Sequence, residues 1–311
     1  MLYKESKVIM ELYKKAEQSM FGEIINIMSS CFNESTYVLK FFFEKRFNIN
    51  NCYVCIDNGK LVSVLHAIPH KLRFGRETIN GVYIYGACTL KKYRGLGHMT
   101  GLLKYVHEVS KSKGYECSFL VPESPSLEPF YEKLGYKNLF KLRRLVLTKE
   151  EMLNICEEDM INSTSEDNLN FYDIEKLRET IHSTQDRVIY NENDIEFAHS
   201  LYQSFSFGGI VKTNQGYAFC STFDIGKIKI RDFTCQESGT IELLSKIYNR
   251  FPNNSEYIIE TSLDNNFFKN FGQPYFYGMI NPLSELCDGI VNNIITTKNT
   301  DEYPYLGISL E

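Results

Sequence analysis

Residues 82–106 restrict the fold of this chain more than any others. An apolar, strand-like run, Val82-Tyr-Ile-Tyr-Gly-Ala-Cys-Thr89, leads through a turn ending Arg94-Gly-Leu-Gly97. Beyond it the apolar residues Met99, Leu102, Leu103 and Val106 recur at i, i+3, i+4 and i+7, which predicts an amphipathic helix. Strand, glycine-rich turn, helix is an arrangement that binds phosphate through backbone alone. Gly95 and Gly97 supply positive φ and close approach, and the first helix amides point at the anion. Arg94 adds a positive fork beside them. Residue identity excludes two such turns. His98 follows Gly97 where a Walker loop needs Lys and then Ser or Thr. A dinucleotide fingerprint needs a third glycine where Thr100 stands; Gly101 comes one place late, and no suitably spaced acidic residue ends a following strand.

What remains resembles motif A of the GNAT superfamily of acyl-CoA-dependent N-acetyltransferases, Arg/Gln-x-x-Gly-x-Gly/Ala. Arg94, Gly97 and Met99 stand at its fixed positions, and Met99 departs from the usual Gly or Ala. Downstream, Tyr115 to Val121 reads as a strand. Ser126 to Tyr136 reads as a short helix, with Ser126 as its N-cap, Pro129 in its first turn and Gly135 as its stop. Phe130-Tyr131-Glu-Lys-Leu-Gly-Tyr136 is similar to motif B of the same superfamily, Phe-Tyr-x-x-x-Gly-Phe/Tyr. Ser124 takes the place of an Asn that the family usually has before that Tyr. The resemblance covers residues 5–148 and is strongest over 80–137. It implies a mixed α/β sheet of the acyl-CoA N-acyltransferase fold and acetyl-CoA as co-substrate, with no metal.

The same resemblance implies roles for particular residues. Backbone groups of Cys88, Thr89 and Leu90 would face the pantetheine arm. The amides of Arg94, Gly95, Leu96, Gly97, His98 and Met99 would hold the pyrophosphate, and Ser124 would donate to the pantetheine. Gly86 is the expected bulge that opens a slot beside the strand. Tyr131 would be the general acid for the departing thiolate; Leu127, Phe130 and Leu134 form a core stripe that leaves it off the core. The base is less evident, because the strand before the turn lacks the family's usual Glu. Glu123 is the first candidate, with His66, His70 and the terminal carboxylate of Glu311 as alternatives. The last follows from the related "enhanced intracellular survival" family, in which the chain end returns to the active site. His98, His107, His182 and His199 read as turn or helix-surface residues.

Composition narrows the function classes. A net charge of −5 and a pI near 5.8 give no global basic surface for nucleic acid. No apolar run is long enough to cross a bilayer, and the first residues carry charges where a leader needs an apolar stretch. Nine scattered cysteines suit a reducing cytoplasm, and the abundance of Asn, Lys, Ile and Tyr suggests a bacterial source. The pair Cys52 and Cys55 lies inside a strand-like run and reads as core rather than zinc or redox site. The acidic balance favours a cationic acceptor, a small-molecule or peptidic amine, and a homodimer is the expected assembly.

With 311 residues, two units are expected: a catalytic domain over 1–148, a linker over 149–170 and a second domain over 171–311. The second half reads as two helices (172–181 and 195–202), three strands (208–212, 217–222 and 227–233), a helix (241–248) and strands over 257–261 and 275–280. That order echoes the first half. At the place of the phosphate turn stands Thr234-Cys-Gln-Glu-Ser-Gly-Thr240, with one glycine, no arginine and an added carboxylate. A degenerate GNAT-like domain unable to bind the cofactor is the expectation. Two other functions compete with acetyl transfer: a non-catalytic acetyl-CoA sensor, and a tandem aminoacyl transferase, against which the Arg94 turn argues.

Overall fold

The computed structural model describes residues 11–32, 36–156, 169–205, 208–297 and 302–308. The first half runs β1 (Glu11–Lys15), α1 (Phe21–Phe32), α2 (Thr36–Lys45), β2 (Cys52–Asp57), β3 (Lys60–Phe74) and β4 (Glu77–Thr89). It continues with α3 (His98–Ser112), β5 (Cys117–Leu120), α4 (Glu128–Glu132) and β6 (Lys137–Thr148). Then come α5 (Lys149–Ile155), α6 (Phe171–Ile181), β7 (Arg187–Ile189), α7 (Glu192–Phe205), β8 (Gly209–Thr213), β9 (Gly216–Asp224) and β10 (Lys227–Cys235). The chain closes with α8 (Thr240–Arg250), β11 (Glu256–Thr261), β12 (Gln273–Pro282) and α9 (Glu285–Thr297).

Local sequence explains the main elements. β2 to β4 are apolar on both faces because helices cover both. Cys52, Val54, Val64 and Cys88 pack under α1 and α2, while Tyr53, Cys55, Leu65 and Ile84 pack under α3. Cys52 and Cys55 therefore point to opposite faces of the sheet, as a three-residue spacing on a strand requires, and cannot share a metal. In α3 the predicted stripe is fully buried at Leu102, Leu103 and Val106, each stabilising by about 2 kcal/mol. α8 repeats the stripe with Leu243, Leu244 and Ile247.

Each half builds an antiparallel meander, then a parallel crossover through a helix. β2, β3 and β4 are followed by β5 across α3; β8, β9 and β10 are followed by β11 across α8. The next strand of each half then goes to the other half. β12 lies antiparallel against β5, β6 lies antiparallel against β11, and β12 and β6 pair with each other. The result is one sheet in the order β1-β2-β3-β4-β5-β12-β6-β11-β10-β9-β8, with β7 on β3. This exchange satisfies the edge of β5 and of β11, which an isolated half would leave open. It is anchored by side chains too. Asn281 of β12 donates to His107 Nδ1 at 3.3 Å, and His107 Nε2 in turn donates to the Tyr136 hydroxyl at 3.0 Å.

Residues 149–155, expected as linker, form α5. Thr148 and Glu151 cap it reciprocally, a pattern readable in the sequence as Thr-x-x-Glu. Residues 157–168 of that linker lie outside the described residues. The strand-like end is held by a single bridge: Tyr305 N donates to Asp186 O, and Val188 N donates to Tyr305 O. Tyr305, Leu306 and Ile308 are buried. Glu311 lies outside the described residues.

Candidate active site

The turn predicted to hold phosphate is built by β4, a 3-10 turn at Lys91–Tyr93 and the start of α3. Gly95 has φ +78° and Gly97, the N-cap of α3, has φ +92°. A side chain there would be strained by backbone alone, because no atom lies within 4 Å of where either Cβ would stand. The space ahead of the turn is open. The first helical bond runs from Gly101 N to Gly97 O at 2.9 Å, so the amides of the first turn precede the i to i−4 ladder of α3. Arg94 is exposed, and its Nε donates to Thr89 O at 2.9 Å, which fixes the guanidinium at the strand end. Leu96 is exposed, while Met99 packs at the edge of the core beneath α3.

Beside this cradle the sheet opens. β4 pairs with β5 only at Gly81↔Cys117, Val82↔Ser118 and Tyr83↔Phe119. Beyond Tyr83, β4 pairs with β3 alone. The predicted bulge is present: Val64↔Cys88 and His66↔Tyr85 leave one extra residue on β4, and Gly86 takes φ +61°. A Cβ at Gly86 would come within 2.9 Å of Met28 Cε. The glycine turn at the start of α3, the fixed guanidinium of Arg94 and the parted strand pair thus lie together at the end of β4.

Not every predicted residue keeps its expected place. Leu90 N donates to Val62 O, and Leu90 O accepts from Tyr93 N, so both its backbone groups are engaged within the fold. The Thr89 hydroxyl pairs with Ser63 Oγ at 2.9 Å. Ser126 is not the helix N-cap; Ser124 precedes the 3-10 turn at Pro125–Leu127, and Ser124 Oγ and Ser126 Oγ lie 2.7 Å apart. Tyr131 is not off the core. It is buried against α3 and Tyr136, whereas Leu127, Phe130 and Leu134 are only half-buried, because the short α4 lies flat on the β5–β6 connection. Burial and the nearby Glu123 carboxylate push the Tyr131 phenol up to about 12. Glu123 is exposed.

The four histidines expected on the surface are not there. His98 is buried with Nδ1 3.8 Å from Cys55 Sγ, His107 joins Tyr136 and Asn281, and His182 Nε2 meets Thr234 Oγ1 at 3.0 Å. The half-buried His199 accepts from Ile210 N. Asn281 of the other half covers His107, while His98, His182 and His199 are enclosed by distant segments of their own half, which a stripe of apolar residues does not reveal. His66 is enclosed by Phe42, Phe47 and Tyr85 directly behind Gly86, and burial lowers its pKa to about 4. His70 is buried near Asp194, and its desolvation outweighs that carboxylate, so its pKa is also lowered.

One reactive group escaped the sequence reading. Cys31 of α1 packs beside Cys88 and near Arg94, and hydrogen bonding from Cys88, with further help from Arg94 and Ser30, lowers its pKa to about 6. No sequence signal marks it, since the three residues are distant in the chain. The second half also reaches this region: Asp194 pairs with Arg46 of α2, and Phe197 stacks on Phe41 at 5.9 Å.

Residues 12–139 match the family model described as "Acetyltransferase (GNAT) domain". Among solved structures, the chain is similar to a GCN5-related N-acetyltransferase from Kribbella flavida (13% identity, 88% of this chain and 71% of that one, TM-score 0.69). It is similar also to Eis1 from Mycobacterium abscessus (8%, 88% and 74%, TM-score 0.62) and to Saccharomyces cerevisiae N-myristoyltransferase with bound myristoyl-CoA (11%, 87% and 82%, TM-score 0.54). At these identities the likeness is one of fold. No curated protein matches the sequence significantly. The positive-φ turn, the start of α3 and the parted strands all lie within residues 12–139, the part of this chain that matches the GNAT acetyltransferase domain.

Proposed function

We propose that this chain is an N-acetyltransferase that moves the acetyl group of acetyl-CoA to a primary amine of a small-molecule or peptidic acceptor by direct attack. The observation that carries the reading is the loss of β4–β5 pairing after Tyr83, next to a turn with two left-handed glycines and a fixed arginine. Acetyl-CoA would supply the activated thioester. The amides from Gly95 to Met99 and the Arg94 guanidinium would hold the pyrophosphate, and the β4 backbone at Cys88 and Thr89 would align the arm. Ser124 is a further donor at the mouth. Tyr131, protonated throughout the neutral range, would return a proton to the leaving sulfur.

An alkylamine with pKa near 10.4 is about one part in a thousand neutral near pH 7.5, a cost of roughly 4 kcal/mol. A proton path is therefore required. Glu123, exposed beside Tyr131, is the proposed base, acting directly or through water. The contact between α2 and α7 gives the second half a place in shaping the acceptor side. The reading takes the chain as a cytoplasmic, bacterial enzyme whose acceptor is neither nucleic acid nor membrane and whose chemistry needs no metal.

Calorimetric titration with acetyl-CoA tests the reading. One site per chain, abolished by Gly97→Glu, supports it and justifies an amine screen by thiol release. Absence of binding sinks it. The sensor alternative is favoured by the lack of a carboxylate on β4 from Val82 to Thr89; it predicts binding of acetyl-CoA with no thiol release from any amine.

A further inference from the structure

The cleft of the first half has a counterpart in the second half. β10 and β11 run parallel through α8 as β4 and β5 do through α3. β10 carries its bulge at Asp232, φ +46°, and ends at Cys235; β4 carries its bulge at Gly86 and ends at Thr89. Each strand ends the same distance past its bulge. In front of Cys235 lies a cavity of about 350 Å³, bordered by the ends of β10 and α6, the turn at Gln236 and Glu237, and the residues after β11. That volume suits a small ligand.

The phosphate cradle, however, is gone. The turn is a single 3-10 turn, Glu237–Gly239, and Gly239 has φ −96° in place of the left-handed Gly97. A Cβ at Gly239 would strike Gln215 Cβ at 2.6 Å, so no open space lies ahead of α8. No Lys or Arg lines the cavity among the described residues, and its charged groups are Glu237 and Asp264. Ser262 donates to Asp264 Oδ1 at 2.5 Å, which orients that carboxylate. His182 Nε2 meets Thr234 Oγ1, its buried Nδ1 has no hydrogen-bond partner among the described residues, and burial together with Arg178 and Arg187 keeps the ring uncharged. Hydroxyls and amides, among them Thr234, Gln236 and Asn265, supply further polar lining, and Ile181, Phe233 and Cys235 an apolar part.

We infer that this cleft is a second small-molecule site, which takes a cationic, hydrogen-bonding ligand of the polyamine or amino-sugar class and does not take CoA. Two carboxylates with hydroxyl and amide donors and acceptors recognise an ammonium group and its polar neighbours; they repel a pyrophosphate. The site is not the acceptor site of the first cleft. Three antiparallel steps, β5 to β12 to β6 to β11, reverse the strand direction, so β10 and β11 end at the opposite edge of the sheet from β4 and β5. Those steps also separate β5 from β11 by about 14 Å across the sheet. The assignment is independent of acyl transfer in the first half and makes this ligand an accessory one.

Calorimetric titration of the full chain with spermidine and with glucosamine tests it, with N-acetylglucosamine as the uncharged counterpart. At least one amine is expected to bind. Its affinity should fall about tenfold or more in Glu237→Gln/Asp264→Asn, and should be unchanged in Gly97→Glu, which removes only the first cleft's anion cradle. Both carboxylates are exposed, so the double variant should fold, as checked by its melting curve. Amine binding that the double variant leaves intact belongs to the acceptor site and overturns the assignment. So does equal binding of N-acetylglucosamine, acetyl-CoA binding that survives Gly97→Glu, or no amine binding at all.

Discussion

Replacing Tyr131 by Phe separates chemistry from packing at the candidate site. The ring is buried against Tyr136 and Phe130, and Phe preserves those edge contacts. No hydrogen bond of the Tyr131 hydroxyl is among the side-chain bonds that tie this region together, so the variant should lose only a few tenths of a kcal/mol of stability. Burial and Glu123 raise the phenol from 10 to about 12, which favours the protonated form by roughly 3 kcal/mol. At pH 7.5 the phenolate fraction is then on the order of 10⁻⁴ to 10⁻⁵, so Tyr131 can give a proton and cannot take one. Loss of a general acid typically costs 10²- to 10⁴-fold. Thiol release with saturating amine should show that fall in kcat, with acetyl-CoA affinity unchanged by calorimetry. The deficit should stay constant from pH 6 to 9, because the phenol does not titrate there. An unchanged kcat, or a deficit that vanishes as pH rises, would refute the acid role.

Other predictions follow from burial and charge. His66 and His107 both titrate near pH 4 in the folded chain, so the unfolded chain binds more protons between about 4 and 6.5. Stability present at pH 7 should be lost as pH falls, by about 2 kcal/mol per histidine at pH 5; denaturant melts should show it, and a flat profile would contradict it. Cys31, with its pKa near 6, should be the first thiol alkylated by iodoacetamide at pH 7, since burial raises Cys52, Cys88, Cys117, Cys220 and Cys235. Peptide mass mapping that finds another cysteine labelled first would dismiss the local field of Cys88 and Arg94. Arg178→Met should destabilise by about 3–5 kcal/mol, because it strands Asp232 in the interior, where the two are fully buried together. A melting temperature within a degree of the parent would argue against that buried pair.

The sequence by itself determined whatever depends on neighbours in the chain. The left-handed glycines at 95 and 97, the bulge at Gly86, the stripe of α3 and much of the strand and helix order were legible, because φ preference and apolar period act over a few residues, whereas β6, β7 and α9 were not read. The Thr148–Glu151 capping box was equally local and was overlooked. Tertiary structure decided the rest. A strand's alternation says which face is buried and nothing about which partner lies at its edge, so the exchange of β6 and β12 between halves could not be read from either. That exchange buries His107 with Asn281. Contacts between segments distant in the chain likewise enclose His66 among α2 aromatics, turn Tyr131 inward and set Cys31 beside Cys88 and Arg94. Desolvation and charge proximity set pKa values, and both belong to three-dimensional neighbours rather than to adjacent residues.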